Sequence, residues 1–310
     1  MKKFDYYYAS CIGKMLTGSE WLLKAFVPTN SKGLVKKLNI AYGDDKYQKL
    51  DIFYQNNSTN EKLPIFFYIH GGGFVSGTMA LRRTYCCTMA RQGFFVVNVG
   101  YSLAPQKQFP NQLSDIFKAI EYVYELSDKY NLDTNKIVLG GESAGAYFAS
   151  YIAAITKNKE LFSKNSIDFC RENEFKISSL VLINGAYSIN EILKAKAPFC
   201  KSYVKAFFNL TNKDLKNKDI LNCNDYSPLN YIKNNFPPTI VIRGKYDAFD
   251  LGTKTLLKVL NDEEVEYSLY TTKGVAGLHA VSIVPISKDA IKAQKFTAEK
   301  LKEYLKDNDL

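Results

Sequence analysis

The chain has 310 residues, 46% of them apolar, which is enough to build a substantial core and excludes a disordered polymer. Its 41 basic and 31 acidic residues leave a net charge of +10, but only five of the cations are arginine and the lysines are scattered along the whole chain. That is the pattern of a solvated basic surface; a nucleic-acid footprint would gather Arg and Lys on one face, so no nucleic-acid partner is expected.

In chain order, the first 35 residues place Ile12, Met15, Leu16, Trp21, Leu22 and Phe26 on apolar spacing, without the unbroken apolar run of a signal peptide. Lys37 to Tyr42 and Leu50 to Tyr54 are predicted as an antiparallel start to a sheet, separated by a turn over 43–47. Leu63 to Ile69 and Phe94 to Val99 are short apolar, aromatic and β-branched runs bounded by turn residues, the signature of buried strands. Ile116, Ile120, Val123 and Tyr124 form one stripe of a helix over Leu113 to Lys129. A strand at Ile137 to Leu139 leads to an Ala-rich helix over Ala144 to Thr156. Further strands are predicted at Leu180 to Ile183, Thr239 to Ile242 and Tyr267 to Tyr270, with a last helix near Ile286 to Leu305.

Strands alternating with helices through short connections predict an α/β fold: one domain over 1–310, with a mostly parallel central sheet covered by helices on both faces. Residues 1 to about 35 and the Lys-rich helical insertion over about 186–225 break this rhythm. They are expected to pack together as a helical cap over one end of the sheet, because so long an insertion between core strands is usually functional.

Six cysteines without a CxxC pair, and only two histidines, argue against a zinc site and for a reducing compartment. No window approaches 18 consecutive apolar residues. The expectation is a soluble cytoplasmic protein with no metal, no organic cofactor and no stable membrane insertion; homodimerisation is left open.

The segment IVLGGESAGAYFAS ends a predicted strand, turns through Gly141, Glu142, Ser143, Ala144 and Gly145, and enters a helix. GxSxG in that setting is a nucleophile elbow: a strained serine between two small residues that let strand and helix pass closely. The new helix aims its N-H groups and positive dipole end at the same place. A serine hydroxyl needs a base held by a third group, and an imidazole base has to be His70 or His279. His279 follows the last predicted strand, where catalytic groups of doubly wound sheets collect, and completes the order Ser, acid, His. The acid is expected in RGKYDAFD, after the strand Thr239 to Ile242. Asp247 is preferred because it lies closer to the strand end, and Asp250 is expected to cap the following helix.

Together, LDIFY (50–54), HGGGF (70–74), YSLAPQKQFP (101–110), GESAG (141–145) and PPTIVIRGKYDAF (237–249) resemble the hormone-sensitive-lipase-like esterases of the α/β-hydrolase fold, from about residue 38 onward. The resemblance implies Ser143 as nucleophile, Asp247 as acid and His279 as base. It implies an oxyanion hole from the N-H groups of Gly72, Gly73 and Ala144, with His70 and Gly71 supporting that loop. The departures are Ser102 and Gln106 where relatives carry Arg and Glu, Glu142 where Asp is commoner, and Asp247-Ala248-Phe249 in place of DPL. Glu142 is expected to support the site through a salt bridge or hydrogen bond.

The expected activity is hydrolysis of short to medium acyl esters of small-molecule substrates through an acyl-enzyme, with Trp21, Phe199, Tyr203, Phe207 and Phe208 as wall or packing residues of the cap. An amidase, peptidase or sugar deacetylase would use the same groups. A non-catalytic ligand receptor on this fold would lack the histidine that this chain keeps at 279.

Overall fold

The computed structural model describes residues 3–27, 29–56, 61–195, 197–221 and 223–307, with the side chains of 3–5, 19–26, 224 and 307 outside that description. Among the described residues eight strands form one sheet: β1 (Val35–Ala41), β2 (Lys49–Tyr54), β3 (Leu63–Ile69), β4 (Phe95–Val99), β5 (Leu132–Glu142), β6 (Ser179–Ile183), β7 (Thr239–Gly244) and β8 (Tyr267–Thr272). Their spatial order is β1-β2-β4-β3-β5-β6-β7-β8. The pairs β1/β2 and β2/β4 are antiparallel, and all the others are parallel. The mostly parallel sheet expected from the alternating elements is the one observed.

The helices are α1 (Lys3–Phe26), α2 (Met79–Ala90), α3 (Asn111–Glu125), α4 (Ser127–Tyr130), α5 (Ala144–Lys157), α6 (Glu160–Lys164), α7 (Ile189–Lys194), α8 (Cys200–Phe208), α9 (Lys218–Leu221), α10 (Asp250–Asp262) and α11 (Lys288–Asp307). Successive side chains of a strand point to opposite faces, so β3 feeds two cores. Ile65, Phe67 and Ile69 enter the one shared with Ile116 of α3 and Tyr147 of α5. Phe66 and Tyr68 enter the one shared with Tyr85 of α2 and Leu301 of α11. With both faces covered, the central strands read as continuous apolar runs.

One local expectation is corrected, and one element is new. The helix predicted over 113–129 breaks at Leu126, where the Ser127 hydroxyl donates to the Tyr124 carbonyl at 2.7 Å and the Leu126 N-H donates to Val123. The serine competes for a carbonyl that the helix would use. Helix α2 was not anticipated; its buried face, Arg82, Tyr85, Cys86, Met89 and Ala90, has helical spacing but mixes a charged residue into the stripe.

Outside the sheet-and-helix rhythm, α1 packs on α8 and α2, and α7 on α8. Ala9 and Ile12 of α1 are buried. Gly13 lies so close to the loop after β3 that a Cβ there would strike the Val75 carbonyl oxygen.

Candidate active site

The carboxyl ends of β3, β5, β6, β7 and β8 lead respectively to His70, Ser143, Asn184, Asp247 and His279. In an open parallel sheet this is the end at which functional groups converge.

Ser143 occupies the turn between β5 and α5 with φ 55° and ψ −117°, a conformation that costs an ordinary residue of order 1–3 kcal/mol. Its N-H donates to the Ile183 carbonyl at 2.9 Å, tying the turn to β6. A Cβ on Gly145 would strike the Ile69 carbonyl oxygen, so the backbone of α5 passes β3 only because that position is glycine.

His279 Nδ1 lies 2.7 Å from Asp247 Oδ1. The Asp247 side chain is 1% exposed and that of His279 28%, so the pair spans the boundary between the interior and the site. The Phe249 N-H donates to Oδ1 at 2.9 Å, and Asn184 Nδ2 donates to Oδ2 at 2.8 Å. With Oδ2 occupied, Oδ1 is turned toward the imidazole. Phe249 also packs on the His279 ring, centroid to centroid 4.7 Å. Asp250 does not cap α10. The helix begins at Asp250, with Phe249 in the capping position, and the Asp250 carboxylate takes Arg243 (2.5 and 2.8 Å) and Lys254 (2.8 Å) instead. A carboxylate in the first turn is favoured by the helix dipole, and two cations there outweigh a capping hydrogen bond.

Gly71, Gly72 and Gly73 form the turn after β3, and Gly72 (φ 130°) and Gly73 (φ 59°) both need conformations that L side chains rarely adopt. His70 Nδ1 donates to the Gly71 carbonyl at 2.8 Å. A carbonyl accepts only, so this ring nitrogen carries the proton. The ring stacks on Tyr101 at 4.3 Å, and the Tyr101 hydroxyl donates to the His70 carbonyl at 2.7 Å. Burial, and then the charge of Arg82, lowers the His70 pKa to about 4, so the ring is neutral at physiological pH. The Gly72 carbonyl accepts from the Val75 and Ser76 N-H groups and the Ser76 hydroxyl. In planar trans peptides an N-H points opposite to the preceding carbonyl. Holding the carbonyls of Gly71 and Gly72 therefore aims the N-H groups of Gly72 and Gly73 the other way.

Glu142, fully buried, ties this turn to the serine: Oε1 accepts from the Gly71 N-H (2.6 Å) and Arg82 Nε (2.7 Å), and Oε2 from the Tyr68 hydroxyl (2.6 Å). The sequence pointed to Glu142 as a supporting group, but not to Arg82 or Asn184. The only trace of Asn184 is a polar residue directly after an apolar strand in a parallel sheet; Arg82 leaves none.

These groups open on one cavity of about 660 Å³, lined by Gly71, Gly72, Gly73, Ser143 and His279 together with mainly apolar side chains. Leu16 and Val27 contribute from the N-terminal segment, Ala197, Pro198 and Tyr203 from the insertion between β6 and β7, and Ile283, Val284 and Ile286 from the segment after β8. Of the expected wall residues Tyr203 lines the cavity. Phe207 and Phe208 pack with Phe74 and Phe109 beneath it, and Phe199 is only partly buried against the same core. The Trp21 side chain lies outside the described residues.

The family model BD-FAE matches residues 50–250. Sequence relatives include an alpha/beta hydrolase of Acanthamoeba polyphaga mimivirus, 36% identical over 100 residues, covering 32% of this chain and 29% of that one. Esterase LipC of Mycobacterium tuberculosis is 24% identical over 69% of this chain and 52% of its own length. An acetyl esterase of Salmonella schwarzengrund is 25% identical over 73% of this chain and 69% of its own length. The chain thus spans about half, or less, of the first two. Among solved structures, esterase B of Lactobacillus rhamnosis superposes with a TM-score of 0.84 at 21% identity, covering 99% of this chain and 97% of that one.

Proposed function

This chain belongs to the BD-FAE family and has the α/β-hydrolase fold of the hormone-sensitive-lipase-like esterases, and from that premise we propose that it is a serine carboxylester hydrolase for short to medium acyl esters. One observation carries the reading: a strained Ser143 and a His279 paired with the buried Asp247 line the same, mainly apolar cavity as a turn of three glycines.

In this reading the Ser143 hydroxyl attacks the ester carbonyl while His279 Nε2 takes its proton. Asp247 holds Nδ1 protonated and stabilises the imidazolium that forms. Asn184 positions Asp247 for that task. The carbonyl oxygen, now an anion, is met by the N-H groups of Gly72, Gly73 and Ala144, whose orientation is set before reaction by the hydrogen bonds of His70, Ser76 and Glu142. His279 returns the proton to the leaving alcohol. Water then repeats the sequence on the acyl-enzyme and releases the acid.

The predominantly apolar lining supports an acyl ester over an acetylated sugar, whose hydroxyls would find few partners there. The names of LipC and of the Salmonella acetyl esterase support the same activity. In this reading α1 and the insertion over 186–225 act as the cap that walls the cavity.

The test is stoichiometric labelling by an alkyl phosphonate together with the Ser143→Ala variant. Labelling at Ser143 and a fall in ester turnover of about 10⁴- to 10⁶-fold with an unchanged melting temperature are expected. A variant that retains most activity would overturn the assignment.

A further inference from the structure

Most of the exposed large apolar side chains outside the sheet lie on segments that flank the cavity. On α1, Tyr7, Tyr8 and Met15 are exposed, while Ala9 and Ile12 are buried and Leu16 lines the cavity. Among its described side chains the helix therefore carries apolar groups on its exposed side as well as on its buried one. The segments that carry Asp247 and His279 expose Tyr246, Val275, Leu278 and Ile286, of which Ile286 also lines the cavity. The Tyr246 N-H donates to the Gly277 carbonyl at 2.8 Å, so the two loops present these side chains together.

The exposed charge described on the same segments is mainly basic, the side chains of Asp5 and Glu20 on α1 lying outside the described residues. Lys14, Lys245, Lys273 and Lys288 are exposed. Among the described side chains of these segments each carboxylate has a partner. Asp247 holds His279, Asp250 is taken by Arg243 and Lys254, and Asp289 accepts from the Tyr270 hydroxyl and the Lys273 N-H.

We propose that this rim is a docking face for an anionic lipid surface, on which α1 lies in the plane of the headgroups and from which an apolar ester enters the cavity. Tyrosines beside aliphatic side chains, ringed by lysines, suit a boundary that is apolar below and negatively charged above. A second copy of this chain fits the face less well, because two-fold pairing would bring the same lysines against one another. Docking would be peripheral, since no described helix is long and apolar enough to cross a membrane. Entry of the ester rests on the catalytic reading of Ser143; adsorption does not.

The experiment sediments the full chain, carrying Ser143→Ala so that nothing is consumed, with phosphatidylcholine vesicles with and without phosphatidylglycerol. Binding to the anionic vesicles is expected, weakened by added salt. Lys245→Gln with Lys273→Gln should weaken it by about 25-fold, at about fivefold per lysine. Met15→Ser and Val275→Ser should each weaken it by about tenfold. In the Ser143 background these four substitutions should leave turnover of a water-soluble ester unchanged. No binding at low salt, or binding that none of the substitutions weakens, overturns the proposal. So does a dimer that Met15→Ser dissociates. Vesicle binding by a protein that hydrolyses no soluble ester would sink the catalytic reading and leave the docking face standing.

Discussion

The chain's only two histidines occupy opposite environments. His279 sits on the cavity wall against a buried carboxylate, while His70 is enclosed, stacked on Tyr101 and bonded to the Gly71 carbonyl. His70 has a measurable consequence through its pKa of about 4, depressed by burial and then by Arg82. In the unfolded chain it takes up a proton near pH 6.5, and in the folded chain only near 4, so between these values the unfolded state binds more protons. Stability therefore falls as pH drops through that window, by about 3 kcal/mol in all, and is unaffected by this group above it. His70→Asn keeps a donor for the carbonyl and removes the titration. Its stability in urea, measured from pH 7 to pH 4, should lack that part of the acid loss; an unchanged acid slope would place the sensitivity elsewhere. The elbow, the late histidine and the Asp before α10 were legible because each is anchored to a strand end. Asn184 and Arg82 were not, because their roles depend on which strands and helices become neighbours.

Glu142 shows the same dependence among elements, since one carboxylate joins β3 through Tyr68, α2 through Arg82 and the glycine turn through Gly71 to the end of β5. Glu142→Gln keeps the shape and removes the charge that compensates Arg82, which is 5% exposed. Breaking a buried pair from one side typically costs 3–5 kcal/mol. Chemical denaturation of the variant should show a loss of about that size; a loss below about 1 kcal/mol would mean that Arg82 is compensated by its other neighbours. The strands and their mostly parallel arrangement were legible from apolar runs bounded by turn residues, and β3 spans the predicted residues, whereas the spatial order of the strands was not predicted. The break at Leu126 was not, since it turns on one serine hydroxyl competing for a backbone carbonyl. Helix α2 was missed because its buried face, though helically spaced, includes Arg82, whose burial depends on its pairing with Glu142.

At the scale of the whole molecule the sheet carries the proposed reacting groups, and the two segments outside its rhythm supply much of the space around them. Tyr203 links the two. It comes from α8 in the insertion, lines the cavity, and stands so close to the glycine turn after β3 that a Cβ on Gly73 would lie 3.1 Å from its ring. If acyl chains run past this ring, Tyr203→Ala lengthens the slot they occupy. Each methylene newly buried is worth about 0.8 kcal/mol, or roughly a fourfold gain in kcat/KM. Any loosening of the glycine turn would slow short and long esters alike, so the ratio between them isolates the slot. With a series of p-nitrophenyl esters, the preference of the variant should move toward longer chains by about fourfold per added carbon until the new space is filled. A ratio identical to that of the parent would direct the acyl chain past other lining residues, such as Leu16, Val27 or Ile286, and away from the insertion as the element that measures its length.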